Sequence, residues 1–344
     1  MLGIFNSFSE DMGIDLGTAN TLICSKTAGI VLREPSVVAV HRKTGKVLAV
    51  GQEAYRMIGR TPGSLMTVHP LKDGVIADFD MARIMLHAFL KKALRGRSFV
   101  HPRFVISVPC GVTAVERRAV IDAASQAGGR EAFLIEAPVA AAMGAGMFIR
   151  EAAGNMVVDL GGGTTEVAVI SLGSIVHSRT LRMGGRRIDE ALVRYIRRKY
   201  NLLIGLTMAE TAKIEIGTVL ESTRPATMDV RGRDLVTGLP RTQTLNQNQL
   251  IPALAEPVRD IVDAVKTTLE QIPPELASDI MDRGIVLTGG TALLRNLDRV
   301  LSRETGMPVA VAEDAPSCVA LGTGKAAKNL NYVRRTAGVP VRKK

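Results

Sequence analysis

Residues 155–170 combine an acidic strand end with a glycine-rich turn, a pattern that can bind a phosphate and a cation. An apolar run ends at Asp159 and Leu160, three glycines and two threonines follow, and the chain then becomes apolar again. This order predicts a β-hairpin with a glycine turn. Successive glycines let backbone N–H groups converge on an anion, and Asp159 could hold Mg²⁺ through water. A tight structural hairpin is the alternative, since glycine turns are common.

The same plan occurs near the N-terminus. Residues 12–24 also contain an apolar run, Asp15 followed by Leu and Gly, small polar residues and a second apolar run. Asp15 and Asp159 lie 144 positions apart. Two such hairpins, each opening its own half of the chain, predict a duplicated fold with a nucleotide between the halves, because ligands favour clefts between domains.

Two further stretches carry groups that could serve such a cleft. Residues 284–292 predict a strand, a glycine turn and a helix start, where the helix N-terminus attracts phosphate. Glu136 stands where a strand over 132–135 ends and a helix opened by Pro138 begins. Its carboxylate could orient a water molecule in the cleft or simply interact with the helix dipole.

Capping patterns predict the helices that flank these stretches. Asp78 precedes a helix over about 80–94, and Thr113 with Glu116 forms a capping box for a helix that ends at a Gly-Gly pair. In the second half, a further helix is predicted over about 186–200.

Thr207 and Glu210 have the spacing of another capping box, before a helix predicted over about 208–217. This pattern favours a purely structural role for Glu210.

The composition limits the class of protein. A length of 344 residues predicts two lobes, and 46% hydrophobic residues suffice for a large core. The three cysteines lack metal-site or disulfide spacing, which indicates a reducing cytosol. The net charge of +11 invites a nucleic-acid partner, but only 3% of the residues are aromatic and no nucleic-acid motif occurs. We therefore expect no nucleic acid and favour an anionic membrane surface or an ordinary solvated face.

Two apolar groups are candidates for membrane contact. The first lies at roughly helical spacing in the N-terminal segment and consists of Leu2, Ile4, Phe5 and Phe8. The second is Phe99 with Val100 in a basic loop. A packed or disordered terminus and the start of the next strand are the respective alternatives.

Taken together, the glycine elements at Asp15, Asp159 and Thr288 resemble those of the actin, sugar kinase and heat-shock chaperone ATPase superfamily. The sequences of these and several other motifs are similar to those of one member, the MreB family of bacterial actin-like rod shape-determining proteins. The motifs that carry this resemblance are Ile14-Asp-Leu-Gly-Thr-Ala-Asn-Thr, Glu34-Pro-Ser-Val-Val, His69-Pro-Leu-Lys-Asp-Gly-Val-Ile-Ala-Asp, Glu136-Ala-Pro-Val-Ala-Ala-Ala, Asp159-Leu-Gly-Gly-Gly-Thr-Thr-Glu and Lys213-Ile-Glu-Ile-Gly.

The resemblance implies an α/β, actin-like ATPase fold with two related lobes, divided into four subdomains, around a central nucleotide cleft. On this basis residues 1–12 form an amphipathic membrane segment and residues 331–344 a basic tail. The first lobe covers 13–150 with a small insertion at about 33–70. The second covers 151–314 with a small insertion at about 182–245, and a helix over 315–330 returns to the first lobe.

The resemblance also assigns roles to residues. ATP would contact Asp15, Gly17, Thr18, Ala19, Asn20, Asp159, Gly161, Gly162, Gly163, Thr164, Glu210, Lys213, Gly289, Gly290, Thr291 and Ala292. Asp15, Asp159 and Glu136 would hold Mg²⁺, mainly through water, and Glu136 with Thr165 would position the attacking water. Hydrolysis would be slow and would time filament turnover.

The implied function is a cytoskeletal ATPase that forms homopolymer filaments on the inner face of the cytoplasmic membrane and guides peptidoglycan synthesis. Its partners would be membrane-bound shape and cell-wall elongation proteins. A small-molecule kinase of the same fold is the alternative, but no substrate-shaped insertion is evident. A chaperone ATPase would need a peptide-binding domain after residue 344, and a non-hydrolysing scaffold would not need Glu136 and Thr165.

Overall fold

The computed structural model describes residues 11–95, 101–330 and 333. The membrane residues predicted from sequence, Leu2, Ile4, Phe5, Phe8, Phe99 and Val100, lie outside this range, as does nearly all of the basic tail.

Strands and helices alternate in an α/β order. The strands are β1 (Met12–Leu16), β2 (Asn20–Ser25), β3 (Gly29–Pro35), β4 (Val38–His41), β5 (Val47–Val50), β6 (Leu65–Val68), β7 (Leu71–Lys72), β8 (Val75–Ile76), β9 (Arg103–Val108), β10 (Glu131–Glu136), β11 (Asn155–Leu160), β12 (Thr165–Ser171), β13 (Ser174–Leu181), β14 (Leu202–Leu203), β15 (Thr227–Asp234), β16 (Pro240–Asn246), β17 (Ile285–Thr288) and β18 (Val309–Val311). The helices are α1 (Gln52–Arg56), α2 (Phe79–Ala93), α3 (Ala114–Gln126), α4 (Ala137–Gly144), α5 (Gly185–Tyr200), α6 (Leu206–Ile216), α7 (Gln247–Glu270), α8 (Pro274–Arg283), α9 (Leu297–Thr305) and α10 (Cys318–Lys328). Short 3₁₀ turns cover Gly290–Leu293 and Ala315–Ser317.

Two five-stranded sheets have the same topology. The first has the order β10-β9-β1-β2-β3 and the second β13-β12-β11-β17-β18. In each, an antiparallel hairpin (β1–β2 or β11–β12) continues into a third antiparallel strand, and two parallel strands complete the sheet on the other side. The duplication expected from the two Asp-Leu-Gly stretches is therefore present in the backbone.

A small three-stranded sheet is inserted into each half. The first small subdomain consists of β4, β5 and β6 with α1, and the second small subdomain consists of β14, β15 and β16 with α6. They fall within the insertions predicted at about 33–70 and 182–245.

The lobes share a core made mainly of small side chains. Helix α4 packs against α10 and also against the second sheet, whereas α10 packs against the first sheet. Glycine allows the two helices to approach closely, because a Cβ at Gly144 would lie 1.8 Å from the Cys318 carbonyl oxygen and one at Gly322 would lie 1.8 Å from that of Ala140. The joint between the lobes therefore depends on two backbones in direct contact.

We expect Gly322→Ala to lower the free energy of unfolding by about 1–3 kcal/mol, the range typical of overpacked cores. The added methyl group has no space beside Ala140, so α4 and α10 must separate. Urea unfolding measures the effect. Gly205→Ala is the control, because a Cβ there meets nothing within 4 Å. Equal midpoints for the two variants would contradict this account.

Local capping signals were confirmed in the first half and wrong at one place in the second. Asp78 accepts a hydrogen bond from the Met81 N–H at 3.1 Å, and Thr113 and Glu116 form a full capping box. Helix α6, however, begins at Leu206 with Gly205 as its N-cap and without a side-chain cap. The Thr207 carbonyl instead accepts from the Thr211 hydroxyl inside the helix.

The longest helix, α7, is amphipathic and contains two prolines. Among the described residues, no helix combines the length and apolarity required to cross a membrane.

Candidate functional site

A cavity of about 610 Å³ lies between the two lobes. Most of the residues that the sequence assigned to nucleotide binding border it. They are Asp15, Gly17, Thr18, Ala19, Asn20, Asp159, Gly161, Gly162, Gly163, Thr164, Glu210, Lys213, Gly289, Gly290 and Thr291. Ala292 is buried behind them. Glu136 and Thr165 do not border the cavity.

The two predicted glycine turns face each other across this cavity. A Cβ at Gly162 would lie 2.5 Å from the Ala19 Cβ, and one at Gly163 would lie 2.5 Å from the Thr18 hydroxyl oxygen. The Gly74 N–H donates to the same hydroxyl at 3.0 Å. Glycine is required where the lobes approach this closely, and it leaves backbone N–H groups free to face an anion.

The second turn is held by backbone contacts with the start of α5. The N–H groups of Gly185 and Arg186 donate to the carbonyl oxygens of Gly161 and Gly162, at 3.0 and 2.9 Å. The Thr291 hydroxyl also donates to Gly161 O at 2.9 Å. These bonds fix the turn before any ligand enters.

Asp15 and Asp159 lie at the deep end of the cavity. Asp15 accepts a hydrogen bond from Ser107 Oγ at 3.0 Å, and Asp159 accepts one from Thr288 Oγ1 at 2.8 Å. Desolvation, and then the charge of Asp159, raises the pKa of Asp15 to about 7. Desolvation raises the pKa of Asp159 to about 6.

These two carboxylates suit a divalent cation. Neither carboxylate forms an ion pair within the described residues, and the charge of Asp159 raises the pKa of Asp15. Oxygen donors are the ligands that Mg²⁺ prefers, usually with several waters retained. In residues 11–95 and 101–330, no group of three His, Cys, Asp or Glu side chains is placed to bind a metal directly. A cation would thus contact Asp15 and Asp159 largely through water.

We expect the folded protein, free of nucleotide and divalent cations, to lose stability as the pH rises from about 5 to 7. The pKa values of Asp15 and Asp159 are raised above 3.8, so in this range the folded chain binds more protons than the unfolded chain. Thermal unfolding in EDTA measures the effect. Asp159→Asn should flatten the dependence, and a melting temperature that rises over this range would argue against it.

Glu136 lies beside the cavity and is held by an ion pair. It is the last residue of β10 and the N-cap of α4, and the next residue, Ala137, borders the cavity. The Arg117 guanidinium donates to Glu136 Oε1 at 3.2 Å. Because both side chains are partly exposed, we assign this pair an orienting role and little stability.

The two adjacent threonines face different surroundings. Thr164 borders the cavity, whereas Thr165 is fully buried in β12 and its hydroxyl has no hydrogen-bond partner in the described chain. Thr164 still belongs to the glycine turn that lines the cavity, whereas Thr165 is the first residue of β12. The water-positioning role predicted for Thr165 therefore suits the location of Thr164 better.

Paired substitutions should separate the two threonines. We expect Thr164→Val to lower the ATP hydrolysis rate about tenfold or more, through loss of a hydroxyl in the cavity. Thr165→Val should leave the rate unchanged, because it replaces a buried, unpartnered hydroxyl with a methyl group of similar shape. Steady-state phosphate release measures both rates, and the opposite ranking would restore the sequence prediction.

Lys213 and Glu210 border the cavity on α6. The Lys213 ammonium lies 2.8 Å from Asp189 Oδ1 and donates to the Gly185 carbonyl at 3.1 Å. Burial raises the pKa of Asp189 to about 6, with Lys213 acting in the opposite direction. Lys213 therefore connects α6 to the start of α5, and its charge is already engaged.

Several residues of the cavity were not predicted as site residues. Glu166 is buried at its edge, accepts the Cys110 N–H at 3.2 Å, and has its pKa raised well above the usual range by burial and then by Asp159. The sequence signal that could have found Glu166 is the alternation of side chains along the strand, which places it on the face opposite to that of Thr165. The others include Tyr55, Ser107 and Gly185. Only the last had a local signal, a Gly-Gly pair before a helix.

Comparison with known proteins gives consistent matches along the chain. Residues 9–335 match the family model described as MreB/Mbl protein. The chain is 56% identical over 325 residues to the cell shape-determining protein MreB of Escherichia coli (strain K12), with 93% of each chain covered. It is 51% identical over 324 residues to the cell shape-determining protein Mbl of Bacillus subtilis (strain 168), covering 94% of this chain and 97% of Mbl.

The fold is similar to that of MreB5 of Spiroplasma citri. The crystal structure of that protein bound to AMPPNP matches with a TM-score of 0.90 and 36% identity, over 94% of this chain and 97% of MreB5. MreB5 bound to ADP also matches with a TM-score of 0.90. These matches confirm the predicted actin-like α/β fold, and they give no support to the small-molecule kinase alternative.

Proposed function

The chain belongs to the MreB/Mbl family of actin-like, cell shape-determining proteins, and on that premise we propose that it is a filament-forming ATPase. It binds ATP with Mg²⁺ between its lobes and hydrolyses it slowly. Its filaments lie on the inner face of the cytoplasmic membrane and guide peptidoglycan synthesis that maintains rod shape. The observation that carries the proposal is the pair of glycine turns that meet beside the carboxylates of Asp15 and Asp159 in the cavity.

Nucleotide binding follows from the chemistry of the cavity. The turns at Thr18 and Gly161–Gly163 supply N–H groups and a hydroxyl to the phosphates, while Gly289 and Thr291 close the pocket on the second lobe. The related S. citri MreB5 binds AMPPNP and ADP, which supports an adenine nucleotide here. Asp15 and Asp159 would hold Mg²⁺ through its water shell, and the bound cation would offset phosphate charge.

Hydrolysis needs an oriented water molecule near the terminal phosphate. Glu136, fixed by Arg117, accepts a hydrogen bond from that water at the edge of the cavity. Thr164 offers a hydroxyl from the opposite turn. Because chemistry of this kind is mainly positioning and charge stabilisation, few protein groups are needed, and a slow rate suits a filament timer.

Membrane attachment and cell-wall partners extend the proposal beyond the described residues. The net charge of +11 favours an anionic surface, and the apolar residues at positions 2–8 and 99–100 would insert into it. We place the protein in the cytoplasm, peripheral to the membrane. Membrane-bound shape and elongation proteins are its expected partners, as is a second copy of this chain.

Co-pelleting with anionic liposomes, with ATP and Mg²⁺ or without nucleotide, followed by negative-stain imaging, tests the proposal. We expect filaments on lipid that depend on nucleotide, and loss of lipid binding on deletion of residues 1–10, which leaves β1 and the ion pair between Asp11 and Arg103 intact. Vesicles of neutral lipid are the control for charge. Soluble monomers under every condition, with ATP still bound, would overturn the filament function and leave only a nucleotide-binding protein.

A further inference from the structure

One side-chain hydrogen bond joins the described parts of the two small subdomains across the cleft. The Tyr55 hydroxyl on α1 donates to Glu210 Oε2 on α6 at 2.7 Å. Both side chains border the cavity and are half-buried, in contrast to Asp159 at the deep end. In the described part of both subdomains, no other hydrogen bond links them.

Glu210 is free to make this contact because of where α6 begins. The capping box that would have occupied its carboxylate is absent, and Gly205 starts the helix instead. Glu210 consequently lies in the second turn of α6, where its side chain is available to the opposite lobe. Tyr55 lies in α1, a helix of five residues between β5 and β6.

The contact has the chemistry of a strong but reversible bond. Glu210 forms no ion pair within the described residues, although its charge is near enough to raise the pKa values of His69 and Asp189. A phenol that donates to a carboxylate makes a charge-assisted hydrogen bond, which is stronger than a neutral one. Burial, and then Glu210 itself, raises the pKa of Tyr55, so the phenol stays protonated and keeps its proton as donor.

The opposite end of the cavity cannot open in the same way. There Ala137 and Val319 border the cavity as the first parts of α4 and α10, whose packed backbones join the lobes. A nucleotide must therefore leave between the small subdomains. Separating them requires the bond between Tyr55 and Glu210 to break.

We propose that Tyr55 and Glu210 form a latch across the mouth of the cleft that sets the rate at which bound nucleotide dissociates. The proposal rests on the nucleotide binding proposed above. Tyr55 acts as a positioning residue, because it holds Glu210 and the second small subdomain in the closed arrangement. The latch thereby couples the lifetime of the bound nucleotide to the separation of the lobes.

The test uses the full chain and an ATP analogue that carries a methylanthraniloyl fluorophore. After rapid mixing with excess ATP, Tyr55→Phe should release the analogue about tenfold faster, as expected for loss of one hydrogen bond to a charged group. Tyr195→Phe is the matched control. It loses a hydroxyl bonded to Lys199 at 2.9 Å within α5, so it should release at the wild-type rate. A wild-type rate for Tyr55→Phe would overturn the proposal.

The double variant distinguishes a latch from two separate effects. If Tyr55 acts only through Glu210, Tyr55→Phe should accelerate release no further in a chain that already carries Glu210→Ala. If the two substitutions instead multiplied each other's effect on the release rate, Tyr55 would act on the nucleotide independently of Glu210, and the latch would be overturned.

A distance measurement without nucleotide tests the latch by itself. Spin labels at Glu53→Cys and Glu215→Cys, both at exposed positions, report the separation of α1 and α6. Native thiols should react slowly, because Cys24 and Cys318 are buried and burial raises the pKa of Cys110 to about 12. Tyr55→Phe should lengthen and broaden the distance distribution. An unchanged distribution would refute the latch, whereas failure of the wild type to bind the analogue would refute the proposed function.

Discussion

Replacing Gly163 with valine is expected to weaken ATP binding about 100-fold, equivalent to about 2.7 kcal/mol. A Cβ at this position would lie 2.5 Å from Thr18 Oγ1 and 2.9 Å from its Cβ, so the two turns would be forced apart. The valine would also occupy space beside the N–H groups that we propose face the phosphates. Isothermal titration with ATP and Mg²⁺ measures the loss.

Gly63→Val is the matched control, because a Cβ at Gly63 meets nothing within 4 Å and lies outside the cavity. Both variants should retain the wild-type circular dichroism spectrum, since neither glycine lies in a strand or helix. Wild-type affinity in Gly163→Val would mean that the turns do not form the phosphate site. The proposed ATPase function would then lose its principal support.

The features that could be predicted from sequence are those that depend on neighbours in the chain. The turns at Asp15 and Asp159 are hairpins because apolar alternation and glycine are local signals. Their repetition also predicted that they would meet, and the approach of Gly162 to Ala19 agrees. Because the motif is duplicated, two local patterns together predicted a contact between residues that are far apart in the chain.

The local pattern failed at the start of α6. Thr207 and Glu210 have capping-box spacing, but the helix begins two residues earlier than that box would place it, at Leu206 after Gly205. The Glu210 carboxylate accepts a hydrogen bond from Tyr55 instead. No sequence pattern connects residues 155 positions apart on different lobes, so this contact could be found only in the folded chain.

Burial on the two faces of a strand also limited the sequence prediction. The motif alone does not say which of the two threonines faces the cavity, because that depends on helices α4 and α7, which pack against β12. The type of element was predictable there, and the surroundings of the two threonines were not.

Replacing Glu136 with glutamine is expected to reduce ATP hydrolysis by about 100- to 1000-fold, within the range usual for removal of an acid–base group. The amide keeps the size of the side chain and can still accept the bond from Arg117, but it no longer carries the negative charge that polarises a water molecule. Because Glu136 does not border the nucleotide cavity itself, ATP affinity should change by less than about threefold, the size of a weak surface contact.

The behaviour of filaments of this variant shows whether ATP hydrolysis only limits filament lifetime or is required for filament assembly. If hydrolysis only limits filament lifetime, Glu136→Gln should still form filaments with ATP, and they should disassemble more slowly than those of the wild type. Arg117→Gln should show an intermediate loss of rate, about tenfold, because the carboxylate remains but is no longer held. Phosphate release and light scattering followed on the same samples measure both quantities. A wild-type hydrolysis rate in Glu136→Gln would show that another group activates the water, and the buried Glu166 at the cavity edge would be the next residue to test.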